Sequence, residues 1–257
     1  MTHCRPLVRA WPVLLLLAGC GRTESGPTLD GAGVPAIVAK SIEFHGGEVY
    51  ERATISLTIT SLSGTFDIVA RRDGGQYEHT VRASVGPEGL ERVVTVTNDS
   101  VKETRGGQPV ELDAEGAQRA RAFVEARVFF PLLPYTLKGG DIRFEERGAE
   151  VWDGRPLERV KVTFAPGSSN SAQDSYTFWF DPETGRMEQF GYDFAGGLRF
   201  RKAVEFERVG GVLFSDQENY AIDAERISVD LLAPEYVAEK MELLSRVELS
   251  NITVDEL

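Results

Sequence analysis

The sequence predicts an α+β fold: a curved antiparallel β-sheet, forming an open half-barrel, with two or three short helices on its concave face. Three features of the 257-residue chain predict it. Apolar and polar residues alternate with a period of two over most of its length, the pattern of strands with one buried face. The alternating segments are joined mostly by tight turns, which suit antiparallel neighbours. Only two stretches carry a helical period, too few to provide the crossovers of a parallel sheet. A sheet of about ten strands has to curl, and the helices then lie across its apolar inner side.

The first helix is predicted over 35–45. Pro35 suits a first helical position, where the missing N–H is no loss. Val34, Ile37, Val38, Ser41, Ile42 and His45 share one face, and Gly46-Gly47 stops the helix. In "ATISLTIT", Ile55, Leu57 and Ile59 alternate with Ser and Thr. Phe66, Ile68 and Ala70 repeat the pattern before the hairpin signal Asp73-Gly74-Gly75. Further strands are predicted at 77–83, 91–97 and 101–104. The second helix, 114–129, has Asp113 as N-cap, Glu115 in its first turn and a stripe of Ala117, Ala120, Val124 and Val128. It runs into "VFFPLLPYTL", where Pro131 and Pro134 forbid further regular helix. Strands resume at 160–164, 175–180, 187–193, 198–206, 212–220 and 246–252. Leu198, Phe200, Lys202, Val204 and Phe206 are expected on one side of their strand. "DPETG" reads as a turn, and residues 234–241 fit helix or strand equally.

The N-terminus has the layout of a signal peptide: Arg5 and Arg9, an apolar run from Trp11 to Leu17, then small residues. The run is shorter than the ~20 residues a membrane span requires. Leu17-Ala18-Gly19-Cys20 resembles the bacterial lipobox. That resemblance implies cleavage before Cys20 and lipidation of its thiol, giving a membrane partner through the acylated Cys20. Several acyl chains anchor stably where one is marginal. Gly21 stands where some bacteria use Asp for inner-membrane retention, so the expected address is the cell envelope, at the outer membrane facing the periplasm. The predicted organisation is a signal peptide at 1–19, a flexible Gly/Ser/Thr/Pro tether at 20–33 and a single half-barrel domain at 34–257.

Loss of Arg5 and Arg9 leaves 26 basic against 40 acidic residues, a net charge of −14 where the full sequence has −12. Such a surface repels phosphate backbones, so no nucleic-acid partner is expected. With Cys4 cleaved away and Cys20 lipidated, no disulfide can form within one mature chain. His45 and His79 are far apart in sequence and lack the ligand spacing of a metal site, so no metal or cofactor is expected. There is no G-x-S-x-G elbow and no phosphate-cradling glycine loop. Asp181 and Glu183 read as turn residues, and no catalytic residue is assigned.

"AKSIEFHGG", "FFPLLPYTLKGGDIRFEERG", "DSYTFWFDPETGRM" and "GGLRFRKAVEFERVGGVLFSDQENY" together resemble an uncharacterised family of bacterial lipoproteins, known only as a domain of unknown function. That family is similar in turn to the LolA/LolB-like superfamily of lipoprotein-localisation carriers. The similarity implies a curved sheet around helices that line an apolar cavity, and an acyl chain or other lipid as ligand. The candidate ligand-binding residues are His45, Phe123, Phe129, Phe130, Leu132, Leu133, Tyr135 and Trp179. Before any ligand role, His45 reads as a hydrogen-bonded helix-end histidine, and the aromatic residues read first as core. The expected function is a lipid-anchored, non-catalytic envelope lipoprotein that binds a hydrophobic ligand. A scaffold lipoprotein with a filled core is the alternative, and an anchored hydrolase stands last. Cys20→Ser is expected to move the protein from the membrane to the soluble fraction on cell fractionation. A variant that still pellets with membranes would show that Cys20 is not the sole anchor.

Overall fold

The computed structural model describes residues 33–86, 89–139, 141–165, 175–194, 197–222, 229, 232 and 241–257. The predicted signal peptide, Cys20 and almost all of the tether lie outside these residues, as does nearly all of the ambiguous 234–241 segment. Helix α1 spans Ala36–His45, with Pro35 as its N-cap. A meander of six strands comes next: β1 (Arg52–Ser61), β2 (Gly64–Asp73), β3 (Gln76–Val85), β4 (Leu90–Thr97), β5 (Val101–Arg105) and β6 (Gln108–Pro109). Helix α2, Ala114–Phe129, starts where the Asp113 carboxylate accepts the Gly116 N–H at 2.7 Å. A second meander is β7 (Ile142–Trp152), β8 (Arg155–Phe164), β9 (Ser175–Phe180), β10 (Met187–Phe194), β11 (Gly197–Val209) and β12 (Val212–Ile222). The chain closes with β13 (Glu242–Glu256).

All thirteen strands form one antiparallel sheet in the order β6-β5-β4-β3-β2-β1-β13-β12-β11-β10-β9-β8-β7. The last strand thus joins the two meanders. Its first half pairs with β12, Gln217 opposite Val247, and its second half with β1, from Thr60 opposite Glu248 to Ala53 opposite Glu256. The curved antiparallel sheet with helices is as predicted, but the described residues form thirteen strands where about ten were expected. Strand β7 escaped because it is a sheet edge. Its residues are mostly exposed, and a bulge between Glu146 and Gly148 breaks its period. Strand β6 is only two residues long.

The main core lies between the sheet and the helices. It takes Ile55, Leu57 and Ile59 of β1, Phe66, Ile68 and Ala70 of β2, Val81 of β3, and Ala120, Val124 and Val128 of α2. A second apolar cluster covers the opposite side of the sheet: Trp152, Leu157, Trp179, Leu198, Phe200, Ile222, Val229 and Leu232. Both faces of β9 are consequently buried, Phe178 and Phe180 in the main core and Trp179 in the second cluster. The two indole N–H groups donate to Glu150 at 2.9 and 2.8 Å, and Arg159 meets the same carboxylate at 3.3 Å. Gly191 of β10 makes room there, since a Cβ would lie 2.4 Å from Leu232 Cδ1. The single face expected for Leu198–Phe206 is interrupted. Glu205 has φ 48°, and the β11–β12 register shifts between Val204 and Phe206, so the residues beyond the bulge are offset from those before it.

The β11–β12 hairpin turns at Gly210-Gly211 and rests on β13. Gly210 has φ +52°, and a Cβ there would lie 2.6 Å from Val254 Cβ and 3.0 Å from Val254 O. Gly210→Ala is therefore expected to lower stability by about 1–3 kcal/mol. Urea unfolding will read this as a lower midpoint at unchanged slope. An unchanged midpoint would show that the hairpin is free to move off β13.

Candidate functional site

The segment C-terminal to α2 shapes the concave face. Pro131 and Pro134 end the helix, and the chain passes through turns into a single 3₁₀ turn at Tyr135–Lys138. Phe129, Leu132, Leu133, Tyr135 and Leu137 are buried by this path. Phe129 meets the rings of Phe164 and Tyr176 at 5.9 and 5.6 Å, and Tyr135 stacks on Tyr50 at 4.7 Å. Phe130 remains half-buried. It stacks on Phe190 at 5.8 Å and beneath the Arg201 guanidinium at 4.3 Å. Phe123, also half-buried, lies between the guanidinium groups of Arg92 at 4.1 Å and Arg127 at 3.8 Å.

The C-terminal end of α2 separates two cavities. The larger, about 430 Å³, is lined by Arg72, Tyr77, His79, Val128, Tyr135 and Lys138 among others. The smaller, about 210 Å³, lies under Phe130 and Pro131 against Ile59, Phe66, Val247 and Leu249, with Arg127 and Arg201 in its wall. A void of about 10 Å³ borders Phe130 and Pro131 as well and reaches Leu133 and His45.

His45 is almost fully buried. Its Nε2 accepts the Met187 N–H at 3.1 Å, which leaves Nδ1 to carry the proton and donate to the Leu213 carbonyl at 3.3 Å. Both ring nitrogens are thus used within the protein, and burial lowers the pKa to about 4. His79 is buried beside Tyr77, with Nε2 lacking a partner, and burial together with Arg72 lowers its pKa to about 3. Tyr135 is pushed up to about 12, mainly by burial. Glu51 is held below the usual carboxylate range by hydrogen bonding to Lys138. Asp181 of the "DPETG" turn accepts from the N–H of Glu183 and Thr184 and from the Thr184 hydroxyl, the task of a turn residue.

A family model described as a family of unknown function, DUF6503, matches residues 35–249. The chain belongs to this family. No curated protein matches it. Among solved structures, a LolA superfamily protein from Nitrosomonas europaea is similar, with 11% identity, a TM-score of 0.53, and coverage of 88% of this chain and 96% of that one. A DUF1329 family protein from Desulfovibrio piger has 12% identity and a TM-score of 0.46 over 86% of this chain and 92% of its own. A Vibrio parahaemolyticus domain, provisionally assigned as an outer membrane lipoprotein-sorting protein, has 9% identity and a TM-score of 0.45 over 85% and 90%. The first of these shows that this DUF6503 member shares the LolA-like fold. The resemblance expected from the four sequence pieces is therefore shown at the level of family and fold.

Of the eight candidate residues, the structure brings Phe123, Phe129, Phe130, Leu132, Leu133 and Tyr135 together on the concave side of the sheet. Only Phe130 among the eight lines the smaller groove, and Phe129 and Tyr135 line the larger cavity. His45 sits behind the groove as a hydrogen-bonded end of α1. Trp179 is on the opposite side of the sheet, because alternation sends it away from Phe178 and Phe180. Sequence reasoning did not identify Arg127, which lies on α2 four residues beyond Phe123, or Phe66, Val247 and Leu249, which alternation marks only as core.

Buried neutral histidines make stability depend on pH. In the unfolded chain His45 takes up a proton below about pH 6.5; in the folded chain it does not until about pH 4. The unfolded state binds more protons in that window, so stability falls with falling pH. His45 alone is expected to cost about 2–3 kcal/mol between pH 6.5 and 4.5, and His79 acts in the same direction. Glu51, Glu103 and Asp181, all held low, add their loss only as the pH falls below the carboxylate range. Urea midpoints measured from pH 7.5 to 4.5 are expected to decline, and His45→Gln to flatten the decline. A pH-independent midpoint would show that His45 is not neutral by burial.

Proposed function

We propose that this protein is a non-catalytic binding lipoprotein, anchored at the outer membrane through acylated Cys20, that takes a lipid or other hydrophobic ligand into the concave side of its sheet. The observation that carries this reading is the groove beneath Phe130 and Pro131. It is bounded by apolar side chains of β1, β2 and β13, and its roof is a non-helical segment with a half-buried aromatic tip. At about 210 Å³ it is below the ~300–1,000 Å³ of ordinary ligand sites. A turn of the Phe130 side chain would join it to the void that borders the same residue and would deepen it toward Leu133. The shared LolA-like fold supports the reading, since the neighbour is named for a superfamily of lipoprotein carriers. The burial of Phe129, Leu132, Leu133, Tyr135 and Leu137 favours a second reading, an interaction lipoprotein whose concave face is filled.

A fluorescent fatty acyl probe separates the two. Phe130→Ala is expected to change probe affinity several-fold with a smaller loss of melting temperature than Phe129→Ala, because Phe130 is only partly buried. Phe129→Ala, by contrast, is expected to cost about 3–5 kcal/mol of stability. Absence of saturable probe binding by the wild-type protein at every chain length tested would remove the carrier reading and leave the filled-core reading.

A further inference from the structure

Two guanidinium groups face the groove beneath Phe130 without an acidic partner. Arg127 comes from α2 and donates to the Phe123 carbonyl at 2.9 Å; its plane covers the rings of Phe66 and Phe123 at 4.4 and 3.8 Å. Arg201 comes from β11 and donates to Gln217 Oε1 at 3.1 Å and to the Tyr192 hydroxyl at 3.2 Å; it covers Phe130 at 4.3 Å. In both, Nε is buried and without a hydrogen-bond partner. Among the described residues neither forms an ion pair, in a chain with 40 carboxylates and a net charge of −12. Of the other arginines on the same inner surface, Arg72 at the larger cavity also forms no ion pair among the described residues and lies over the rings of Tyr77 and Tyr135, while two others are paired. Arg92 is paired with Glu103 at 2.7 Å and Arg121 with Glu125 at 3.7 Å. In the larger cavity Lys138 is paired with Glu51, so its charge is already met.

Two partly desolvated cations against an apolar groove are costly unless an anion completes them. Burial lowers the Arg127 pKa to about 10, with Arg92 adding repulsion, which is the direction expected of a cation lacking its counter-ion. Ser61, Ser63, Ser215 and Gln217 stand in the same groove and add polar groups at its wall.

We infer that the groove takes a single-chain lipid with a carboxylate head group, the carboxylate meeting Arg127 and Arg201 and the chain lying along Ile59, Phe66, Phe130 and Leu249. One chain is indicated because about 210 Å³ leaves no space for two. A carboxylate is indicated because its two oxygens can each meet one guanidinium, and the planar fork of Arg suits it. This inference rests on the concave-face binding reading above and names the ligand chemistry within it.

The test compares three probes on the full wild-type protein by titration calorimetry: dodecanoate, the uncharged dodecanol, and inorganic phosphate alone. Dodecanoate is expected to bind at least about tenfold more tightly than dodecanol, the scale of a charge-assisted hydrogen bond, and phosphate alone is expected not to compete. Arg127→Gln with Arg201→Gln is expected to remove the preference while dodecanol binding persists. Arg201→Lys keeps the charge without the fork and is expected to retain part of the preference, which serves if the double variant does not fold. Equal binding of dodecanoate and dodecanol would overturn the head-group assignment and leave the hydrophobic-ligand reading standing. Phosphate competing as well as dodecanoate would overturn the lipid and leave a plain anion site. Binding of neither amphiphile would overturn both readings.

Discussion

The pairing of β13 with β1 and β12 is the constraint on which the rest of the structure depends. The two meanders are each built by pairing strands that are neighbours in sequence. Nothing else in the sheet joins them, since β6 and β7 stand at its two ends. The last strand has to reach back about 200 residues to lie against β1, with Ala53 opposite Glu256. Closing such a loop costs conformational entropy before any contact repays it, so this step is intrinsically slow. Its pairing is staggered, first half on β12 and second half on β1. Val247 and Leu249 of β13 are groove wall, so the joint between meanders and the floor of the candidate site are the same residues.

Curvature brings the inner side chains together, and the two prolines decide how the space is used. A continued α2 would carry Phe130 onward along the helix axis. Pro131 and Pro134 instead return the chain onto the sheet, where Leu132, Leu133 and Tyr135 fill much of the concave side. Stacked rings of Phe178, Phe190, Tyr192 and Phe130 run along the inner face from core to groove. The face is therefore neither an empty half-barrel nor a uniformly packed core. It is packed beneath the leucines and open on either side of the end of α2.

The strands with one wet face were legible in the sequence because burial imposed a period of two on them. The helices were legible through their caps, Asp113 and the Gly46-Gly47 stop. Edge strand β7 was not legible, since an exposed edge with a bulge has no pattern to keep. Alternation in "YTFWF" sets Trp179 opposite Phe178 and Phe180, but with β9 buried on both faces it does not tell which face is the concave one. The aromatic segment at 129–135 was recognised as bulky and non-helical, but only the fold could show that Phe129 and Tyr135 pack while Phe130 stays at the groove. Arg127 is ordinary in sequence, and Arg201 reads first as a strand residue and only second as a ligand contact. Their lack of partners is a property of three-dimensional placement alone.

That placement gives the two cavities different characters. In the larger one the charges of Lys138 and Glu51 cancel, and Tyr135 and Tyr77 hold polar groups that already bond within the protein. The polar atoms without a partner there, His79 Nε2 and Arg72 Nε, are buried. In the smaller one the cations are held in place by aromatic faces and neutral acceptors, which orient a guanidinium without neutralising it. Stacking of this kind fixes geometry at low electrostatic cost and keeps the charge available. Replacing either stack by a carboxylate would stabilise the free protein and close the groove to an anion. An acidic chain with many carboxylates has left both positions free of one, and this is the arrangement that the proposed carboxylate ligand requires.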